Sequence, residues 1–227
     1  MRNNVSGTRN ALYVLVLAFV IALYLFSNSS FFEVAGVEWT GLVYLDAEQL
    51  DLFLDLPAVN VWRLNTGEVA AVLQEHPWIE KAKVIWRWPN RIRIAVQERA
   101  PLAQIPSPGG WVLLDKEGNL LSPTLGITVY PLPIITNIEL DSPEQLLAAA
   151  RLFNTIPDNL REFVSEWNAA ERSFITRGGT EIVVGELADL EEKFILLETI
   201  LEDLALQNKN ARKIDLRVPK NPVVSFM

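Results

Sequence analysis

The stretch Lys81–Arg99, "KAKVIWRWPNRIRIAVQER", decides how the first half of the chain folds. Apolar residues alternate with polar or charged ones on both sides of Pro89-Asn90, a dipeptide that is typical of turns. The alternation predicts a β-hairpin with one face in the core and one face in water. The water-facing side predicts a basic face made of Lys81, Lys83, Arg87, Arg91 and Arg93.

Basic residues mixed with aromatic ones are also typical of nucleic-acid-binding surfaces. The alternation places Trp86 and Trp88 on the apolar side of the hairpin, where they are not free to stack on bases. A formal net charge of -8 also opposes a nucleic acid partner, because such a surface repels phosphates. We therefore expect no nucleic acid partner. The basic face is then a solvated surface or a patch for an acidic protein or anionic lipid headgroups.

The residues before the hairpin predict one strand and two helices. "FFEVAGVEWTG" (Phe31–Gly41) has the composition of a strand. Capping-box patterns at Asp46 and at Asn65 start two helices, which end before Pro57 and Pro77. Helical spacing predicts that Leu50, Phe53, Leu54, Val69, Val72 and Leu73 point inward.

The N-terminal segment contains sixteen consecutive apolar residues, Ala11–Phe26. Such a helix would span about 24 Å, and its flanks can supply the rest of a hydrocarbon core of about 30 Å. Tyr13, Phe31 and Phe32 are candidate interfacial anchors. Arg2 and Arg9 precede the segment and the next basic residue is Arg63, which predicts a cytoplasmic N-terminus and an extracytoplasmic remainder.

A cleaved signal peptide is the alternative to this uncleaved membrane anchor. Ser27-Asn28-Ser29 offers only a weak cleavage site, and no Ala-x-Ala pattern occurs. The chain has no cysteine, which excludes disulfides and thiolate chemistry and suits an oxidising compartment.

The second half predicts a β-rich domain with two helices. Gly109–Pro123 has the pattern of a hairpin that turns at residues 116–119, and six of the thirteen prolines, between Pro101 and Pro133, favour extended structure. Ser142-Pro143 starts a helix that runs to about Asn154, and a second helix runs from about Leu187 to Ala205 with a solvated charged face. Further strands are predicted in "REFVSEWNA", "RSFITRGG", "TEIVVG" and "ARKIDLRVP".

The end of the chain is the best candidate for an interaction surface. Val223–Met227 is a short apolar strand, and the nearby Pro219 and Pro222 point to the edge of a sheet. An exposed edge carries unpaired backbone groups that can accept a partner strand. The alternative is an edge that a helix or loop of the same chain covers.

No pattern of catalytic or metal-binding residues stands out, and we expect no cofactor, no metal and no small-molecule substrate. The single histidine, His76, follows a predicted helix, where the helix dipole would favour it as a C-terminal capping residue rather than a catalytic base. A pair of carboxylates in a peptidoglycan-cleaving enzyme is the remaining enzymatic hypothesis, since the chain has 28 acidic residues and nothing singles out a pair.

The predicted order strand, helix, helix, strand, strand resembles the POTRA module, and the motifs resemble the FtsQ/DivIB family of bacterial cell-division proteins. These motifs are Pro77-Trp78-Ile79, Trp88-Pro89 and "ERAPLA" at Glu98–Ala103. Leu114-Asp115 with Gly118, Leu132-Pro133, Gly179–Gly185, Lys193 and "IDLRVP" at Ile214–Pro219 extend the resemblance over nearly the whole chain.

The resemblance implies an α+β fold with a cytoplasmic tail (1–10), a transmembrane helix (11–30), a POTRA domain (31–99) and a C-terminal β domain with an open edge strand (100–227). It implies a divisome scaffold without catalysis, located in the cell inner membrane at the septum. The C-terminal strand region would bind an FtsB–FtsL pair, and the POTRA module would meet upstream division proteins such as FtsK, FtsI or FtsW. The partner-binding residues carried over by position are Arg217, Val218, Val223, Val224, Ser225 and Phe226.

Two alternatives stay open at this point. A POTRA-containing component of a protein-export or outer-membrane assembly machine would use the same edge pairing on unfolded clients. The terminal strand is also only about five residues long, so the pairing ladder could instead lie on "IDLRV" at Ile214–Val218. The short tail, of about ten residues, is small for the recruitment of cytosolic proteins.

Overall fold

The computed structural model describes residues 4–56, 59–123 and 132–226. The chain divides into two compact units, Met1–Glu98 and Arg99–Met227. Besides a 3-10 helix at Ser30–Phe32, unit 1 contains six α-helices and strands among its described residues. They are α1 (Asn4–Ser27), β1 (Gly36–Thr40), α2 (Ala47–Leu54), α3 (Thr66–Gln74), β2 (Ile79–Arg87) and β3 (Arg91–Glu98).

The N-terminal helix is longer than the sequence predicted. It begins at Asn4, inside the predicted tail, so its 24 residues span about 36 Å at 1.5 Å per residue. Within the described residues it is the one helix that is long and apolar enough to cross a membrane, and its segment Asn10–Ser27 has a mean hydropathy of 2.2. The helix is therefore long enough to cross a hydrocarbon core of about 30 Å, with its polar first residues included in that length.

Unit 1 has the predicted strand-helix-helix-strand-strand order. The described strands form a sheet in the order β1-β3-β2, with β1 parallel and β2 antiparallel to β3. Asn65 caps α3 as predicted, because its Oδ1 accepts hydrogen bonds from the amides of Gly67 and Glu68. The core between the helices and the sheet contains Leu50, Val69, Leu73, Ile79, Ile92, Ile94 and Val96.

Three details of unit 1 differ from the prediction. Phe53 and Val72, expected inside, are exposed, whereas Leu50, Val69 and Leu73 on the same helices are buried, because neighbouring residues point about 100° apart around a helix and only a narrow face meets the sheet. Phe32, expected at the membrane interface, is buried, and residues 30–32 form a 3-10 helix rather than the start of the strand. Pro57, the predicted end of the first helix, lies outside the described residues.

The bend after β1 depends on a glycine. Gly41 has a φ of +87°, and a Cβ atom there would lie 2.1 Å from the carbonyl oxygen of Val96. Beyond the bend, the carboxylate of Glu98 accepts hydrogen bonds from the backbone amides of Val43, Tyr44 and Leu45, at 2.7–3.2 Å. The glutamate of the "ERAPLA" motif thus holds a loop at the end of the sheet.

Unit 2 is built on one large sheet. Its elements are β4 (Pro101–Ser107), β5 (Gly110–Asp115), β6 (Leu120–Leu121), β7 (Ile134–Thr136), α4 (Pro143–Thr155), α5 (Asp158–Arg161), β8 (Val164–Asn168), β9 (Ser173–Thr176), β10 (Glu181–Val183), α6 (Leu190–Leu206), β11 (Ala211–Asp215) and β12 (Val223–Phe226).

The described strands of unit 2 form a nine-stranded sheet in the order β12-β11-β10-β9-β8-β7-β4-β5-β6. Helices α4 and α6 share one buried cluster with the strands, which includes Phe153, Trp167, Phe174 and Phe194. The predicted hairpin, the Ser142 helix start and the long second helix are confirmed. The fold class, α+β with one N-terminal apolar helix, is therefore as predicted.

A buried ion pair orders the turn between β5 and β6. Arg99 donates to Asp115 at 3.0 Å, and Asp115 also accepts from the amides of Glu117 and Asn119. Burial raises the pKa of Asp115, but the hydrogen bonds from Asn119 and Arg99 outweigh it, and the pKa lies below its ordinary value. The arginine of "ERAPLA" and the aspartate of the hairpin therefore form one structural feature.

Candidate functional site

The last strand, β12, lies at the edge of the large sheet, as the sequence predicted. It runs antiparallel to β11, with Val223 opposite Asp215, Val224 opposite Ile214 and Ser225 opposite Lys213. Among the described residues, no second strand pairs with β12 on its other side. Met227, predicted as the last residue of this strand, lies outside the described residues.

The hydrogen-bond pattern of β11 identifies which residues of β12 face the open edge. The amide of Leu216 donates to Val183 on β10, so the backbone groups of its neighbour Asp215 point the other way, towards β12. The backbone groups of Val223, opposite Asp215, therefore point back at β11. Because backbone direction alternates along a strand, the N–H and C=O groups of Val224 and Phe226 point away from the sheet.

None of the side chains of β12 is charged, and all except that of Ser225 are apolar. Val224 packs against the core of unit 2, whereas Val223 and Phe226 are 55% and 51% exposed. The ammonium group of Lys209 lies 5.5 Å from the centroid of the Phe226 ring, which is within the range of a cation–π contact. This edge therefore offers unpaired backbone groups together with exposed apolar surface.

Arg217 and Val218, predicted in the strand "ARKIDLRVP", lie instead in the turn between β11 and β12. β11 ends at Asp215 because its carboxylate binds Arg217, accepting from the backbone amide at 3.0 Å and from the guanidinium at 2.6 Å. Arg217 holds the pKa of Asp215 below its ordinary value. Gly185 leaves room for the stem of Arg217, since a Cβ atom there would lie 2.7 Å from the arginine Cγ.

The structure places the five predicted basic residues on one face of the β2–β3 hairpin. Arg87 lies directly opposite Arg91, and Lys83 opposite Ala95. Arg93 is partly neutralised, because it donates to Glu38 on β1 at 2.8 Å and lowers the pKa of that carboxyl. Lys81, Lys83, Arg87 and Arg91 are exposed.

Trp88 corrects one part of the sequence interpretation. It was expected on the apolar side with Trp86, but it is 73% exposed. The alternation of the hairpin ends at the last paired residues, Arg87 and Arg91, so Trp88 belongs to the turn and has no sheet face. Trp86 is half-buried and its ring lies 4.5 Å from that of Trp62.

His76 also differs from its predicted role as a charged capping residue. Its Nδ1 accepts a hydrogen bond from the amide of Trp78 at 3.3 Å, and Phe53 packs edge-on against its ring. Burial lowers the pKa of His76, although the charge of Glu98 acts in the opposite direction. The ring is therefore neutral at pH 7 and stabilises the turn between α3 and β2.

Lys193 is a structural residue whose contacts the sequence did not predict. It is buried on α6, and its ammonium group donates to the carbonyl oxygens of Val184 and Glu186. Lys193 is three residues after Leu190 and four before Leu197, so helical spacing places it on the inward face of α6 and could have predicted its burial. Across the part of the chain that the structure describes, no group of three or more His, Cys, Asp or Glu residues could hold a metal ion.

A long apolar N-terminal helix, a POTRA-like unit and a β-rich domain together define the class of POTRA-containing proteins. Comparison with known families makes this specific. The model of the FtsQ-type POTRA domain matches residues 32–99, and the model of the C-terminal domain of cell division protein FtsQ/DivIB matches residues 103–217. The chain belongs to the FtsQ/DivIB family of cell division proteins.

Curated relatives agree with this assignment. The chain is 28% identical to the cell division protein FtsQ of Chloroflexus aggregans, over 97% of this chain and 85% of that protein. It is 27% identical to FtsQ of Myxococcus fulvus, over 82% of this chain and 69% of that protein. Members of the family are non-enzymatic scaffold proteins that act with other division proteins. Because the chain belongs to this family, it is grouped neither with the components of protein-export or outer-membrane assembly machines nor with peptidoglycan-cleaving enzymes.

A similar solved structure is the major extracytoplasmic domain, in its trans isomer, of the cell division protein DivIB from Geobacillus stearothermophilus. The two chains are 14% identical, with a TM-score of 0.36, over 49% of this chain and 97% of that one.

Proposed function

We propose that this chain is a membrane-anchored divisome scaffold that captures an FtsB–FtsL-like pair by strand addition at β12. Residues 1–10 form the cytoplasmic tail, 11–30 the anchor in the cell membrane, 31–99 the POTRA domain and 100–227 the partner-binding domain. The asymmetry of basic residues around the anchor supports a cytoplasmic N-terminus and an extracytoplasmic bulk. Membership of the FtsQ/DivIB family of cell division proteins supports a location at the septum.

The observation that carries the proposal is the outward direction of the backbone groups of Val224 and Phe226 at the uncovered edge. Two residues offer two donors and two acceptors to an added strand. Four such hydrogen bonds would contribute about 2–6 kcal/mol in total. Association itself costs about 4–15 kcal/mol, so the backbone alone cannot hold a partner.

Exposed apolar side chains beside the edge can supply the difference. Val218, Val223 and Phe226 are each more than half exposed. Burial of one such side chain contributes about 1.5–3 kcal/mol. We therefore expect the partner to present a strand together with apolar side chains that cover these residues. Arg217 contributes less than its position in the sequence suggested, because Asp215 already engages its guanidinium.

The basic face of the POTRA domain has a separate role in this proposal. Lys81, Lys83, Arg87 and Arg91 carry exposed positive charge in a chain whose net charge is -8. Such a patch favours an acidic segment of an upstream division protein of the FtsK, FtsI or FtsW type. Arg93 belongs to the same face but is paired with Glu38.

Replacement of Val224 tests the edge directly. Proline at this position removes the outward N–H group and leaves the ladder with β11 intact, since Pro is tolerated where the N–H of an edge strand faces away from the sheet. In a pull-down with the full chain in detergent, Val224→Pro should weaken capture of the FtsB–FtsL pair by about 10- to 100-fold.

The matched control is Val224→Ala, which shortens the same side chain but keeps the N–H group. It should retain most of the capture. Equal capture by Val224→Pro and the unmodified chain would refute strand addition at β12, provided that the two proteins have the same thermal unfolding midpoint.

A further inference from the structure

The end of the N-terminal helix is fastened to the POTRA unit. The side-chain amide of Asn60 donates to the carbonyl oxygen of Ser27, the last residue of α1, at 2.7 Å. Arg63 donates to the side-chain oxygen of Asn28 at 2.8 Å. These hydrogen bonds join the helix end to residues that lie more than thirty positions further along the chain.

A continuous series of aromatic rings strengthens the same junction. Phe26 lies on the last turn of α1 and contacts Phe32, with 5.2 Å between ring centroids. Phe32 contacts Trp62 at 5.7 Å, and Trp62 contacts Trp86 on β2 at 4.5 Å. The amide of Ala35 also donates to the carbonyl of Asn90 in the hairpin turn. The turn of the β2–β3 hairpin therefore lies at the same end of the unit as the end of α1.

This end of the unit exposes aromatic and basic side chains together. Trp62 is 56% exposed and Trp88 is 73% exposed. Arg87 and Arg91 are directly opposite each other at the mouth of the hairpin, and like charges in this arrangement repel unless an anion lies between or beside them. Glu33, which pairs with Asn60, is an exposed acidic residue near the same junction.

We propose that this membrane-end surface, formed by Phe31, Trp62, Arg63, Arg87, Trp88 and Arg91, lies in the phospholipid headgroup layer of the bilayer that α1 spans. The proposal rests on the proposed function in one respect, that α1 is a membrane anchor. Tryptophan is enriched at the membrane–water interface because its ring is amphipathic, and arginine forms strong paired hydrogen bonds with phosphate.

Continuity with α1 favours lipid over a protein partner. Phe31 is four residues beyond the end of α1, so backbone reach keeps it within about 14 Å of the helix end. The opposite end of β3 is about 23 Å from the hairpin turn by strand rise, and it carries Glu98, which binds the amide of Val43. The unit thus has one end at the bilayer and one end away from it.

Fluorescence quenching by lipid tests the proposal, because the chain has no cysteine and accepts a single introduced label. The full chain is placed in nanodiscs of phosphatidylcholine and phosphatidylglycerol that contain a lipid with a nitroxide on its headgroup. Labels are attached to Asn90→Cys at the hairpin turn, to Val43→Cys at the far end, and to Ser30→Cys beside α1. We expect loss of emission at positions 90 and 30 and no loss at position 43.

A second pair of variants tests whether the exposed tryptophan anchors the turn. Trp88→Ser, in the Asn90→Cys chain, should restore part of the emission. The control is Trp111→Ser, which removes an exposed tryptophan of unit 2 and should leave the quenching unchanged. Both variants alter exposed positions, so folding should be retained.

Each other outcome overturns the proposal. If the label at position 30 is quenched and the label at position 90 is not, the anchor is correct and the docked orientation is wrong. A label at position 90 that is dimmed only after addition of a division protein would identify a protein surface instead. If position 30 itself is not quenched, the membrane anchor of the proposed function fails together with this proposal, whereas partner capture at β12 is measured separately. Quenching at position 90 that is insensitive to Trp88→Ser would also overturn the proposal as stated, because Trp88 would then not be part of the surface that lies in the headgroup layer.

Discussion

Two sheet edges in this chain, β2 in unit 1 and β12 in unit 2, are built in opposite ways. Each lies at one end of the order of described strands in its sheet. β2 has nine residues, carries Lys81, Lys83 and Arg87, and is irregular near Ile79 where its register shifts. β12 has four residues and none is charged. Charges and bulges prevent strands from pairing edge to edge, so β2 is protected and β12 is not.

The two edges therefore differ in both length and charge. The longer edge, β2, has more backbone groups to offer but carries charges and a bulge, whereas the shorter edge, β12, carries no charge. In the function that we propose, the lack of charge on β12 is the property that permits a partner strand to pair there.

The addition of positive charges to β12, like those on β2, should have the largest effect, which is on capture of the partner. Val223→Lys with Ser225→Lys places two charges on exposed positions of the open edge. An added strand would have to desolvate them, so capture of the FtsB–FtsL pair should fall by at least about tenfold. The measurement is a pull-down with the full chain in detergent.

The control for this change is Val223→Thr with Ser225→Thr, which alters the same side chains without adding charge and keeps residues that favour strands. Capture should be close to normal. If the lysine variant binds as well as the threonine variant, charge is not what distinguishes the two edges.

The removal of positive charges from β2 should have a smaller effect, which is on self-association of the chain. Lys83→Thr with Arg87→Thr leaves a long uncharged segment at the edge of the unit 1 sheet. We expect weak self-association with a Kd of about 0.1–1 mM, which corresponds to roughly 4–5.5 kcal/mol. Sedimentation in detergent at increasing protein concentration measures it.

A charge-matched control separates edge pairing from a change in net charge. Arg151→Thr with Arg177→Thr removes two exposed positive charges from unit 2 and leaves β2 unchanged. This variant should remain monomeric. Self-association of both variants to the same degree would show that net charge, and not the edge, is responsible.

The smallest effect concerns one ion pair in each sheet, Glu38 on β1 with Arg93 on β3, and Asp215 on β11 with Arg217. Arg217 lowers the pKa of Asp215. A lowered pKa in the folded state stabilises the fold fully above the ordinary pKa, and this contribution is lost as the pH falls through the lowered value. Arg217→Gln should therefore raise the pKa of Asp215 towards its ordinary value, as followed by NMR of the carboxyl carbon. An unchanged pKa would contradict the contact, and Arg93→Gln should alter Glu38 alone.

Regular patterns in the sequence predicted the elements and the location of the edge. Alternation over Lys81–Arg99 gave the hairpin, and side-chain caps at Asn65 and Ser142 gave two helix starts, because these signals depend on residues close together in the chain. Pro219 and Pro222 next to an apolar segment predicted an edge strand, since proline is excluded from the middle of a sheet. Which of its residues face outward required the register with β11 and the bond from Leu216 to Val183.

Contacts between distant segments were not accessible from the sequence. His76 is neutral because Phe53 and the amide of Trp78 surround its ring. Lys193 binds two carbonyl groups of a loop whose path the sequence does not specify. The contact of Arg217 with Asp215 is different, because the two oppositely charged residues are only two positions apart in the sequence.

Gly41 and Glu98 together determine what can be altered between β1 and α2. No side chain fits at Gly41, so the pivot of the bend cannot be replaced by even the smallest other amino acid. Residues 43–45 are held through their main-chain amides, which any amino acid except proline supplies. Tyr44 and Leu45 are held through their side chains as well, because the Tyr44 ring packs against Trp78 and Leu45 packs against the core of unit 1. Val43, whose side chain is 75% exposed, is therefore the position of this loop where a label or a foreign side chain can be introduced without loss of either kind of contact.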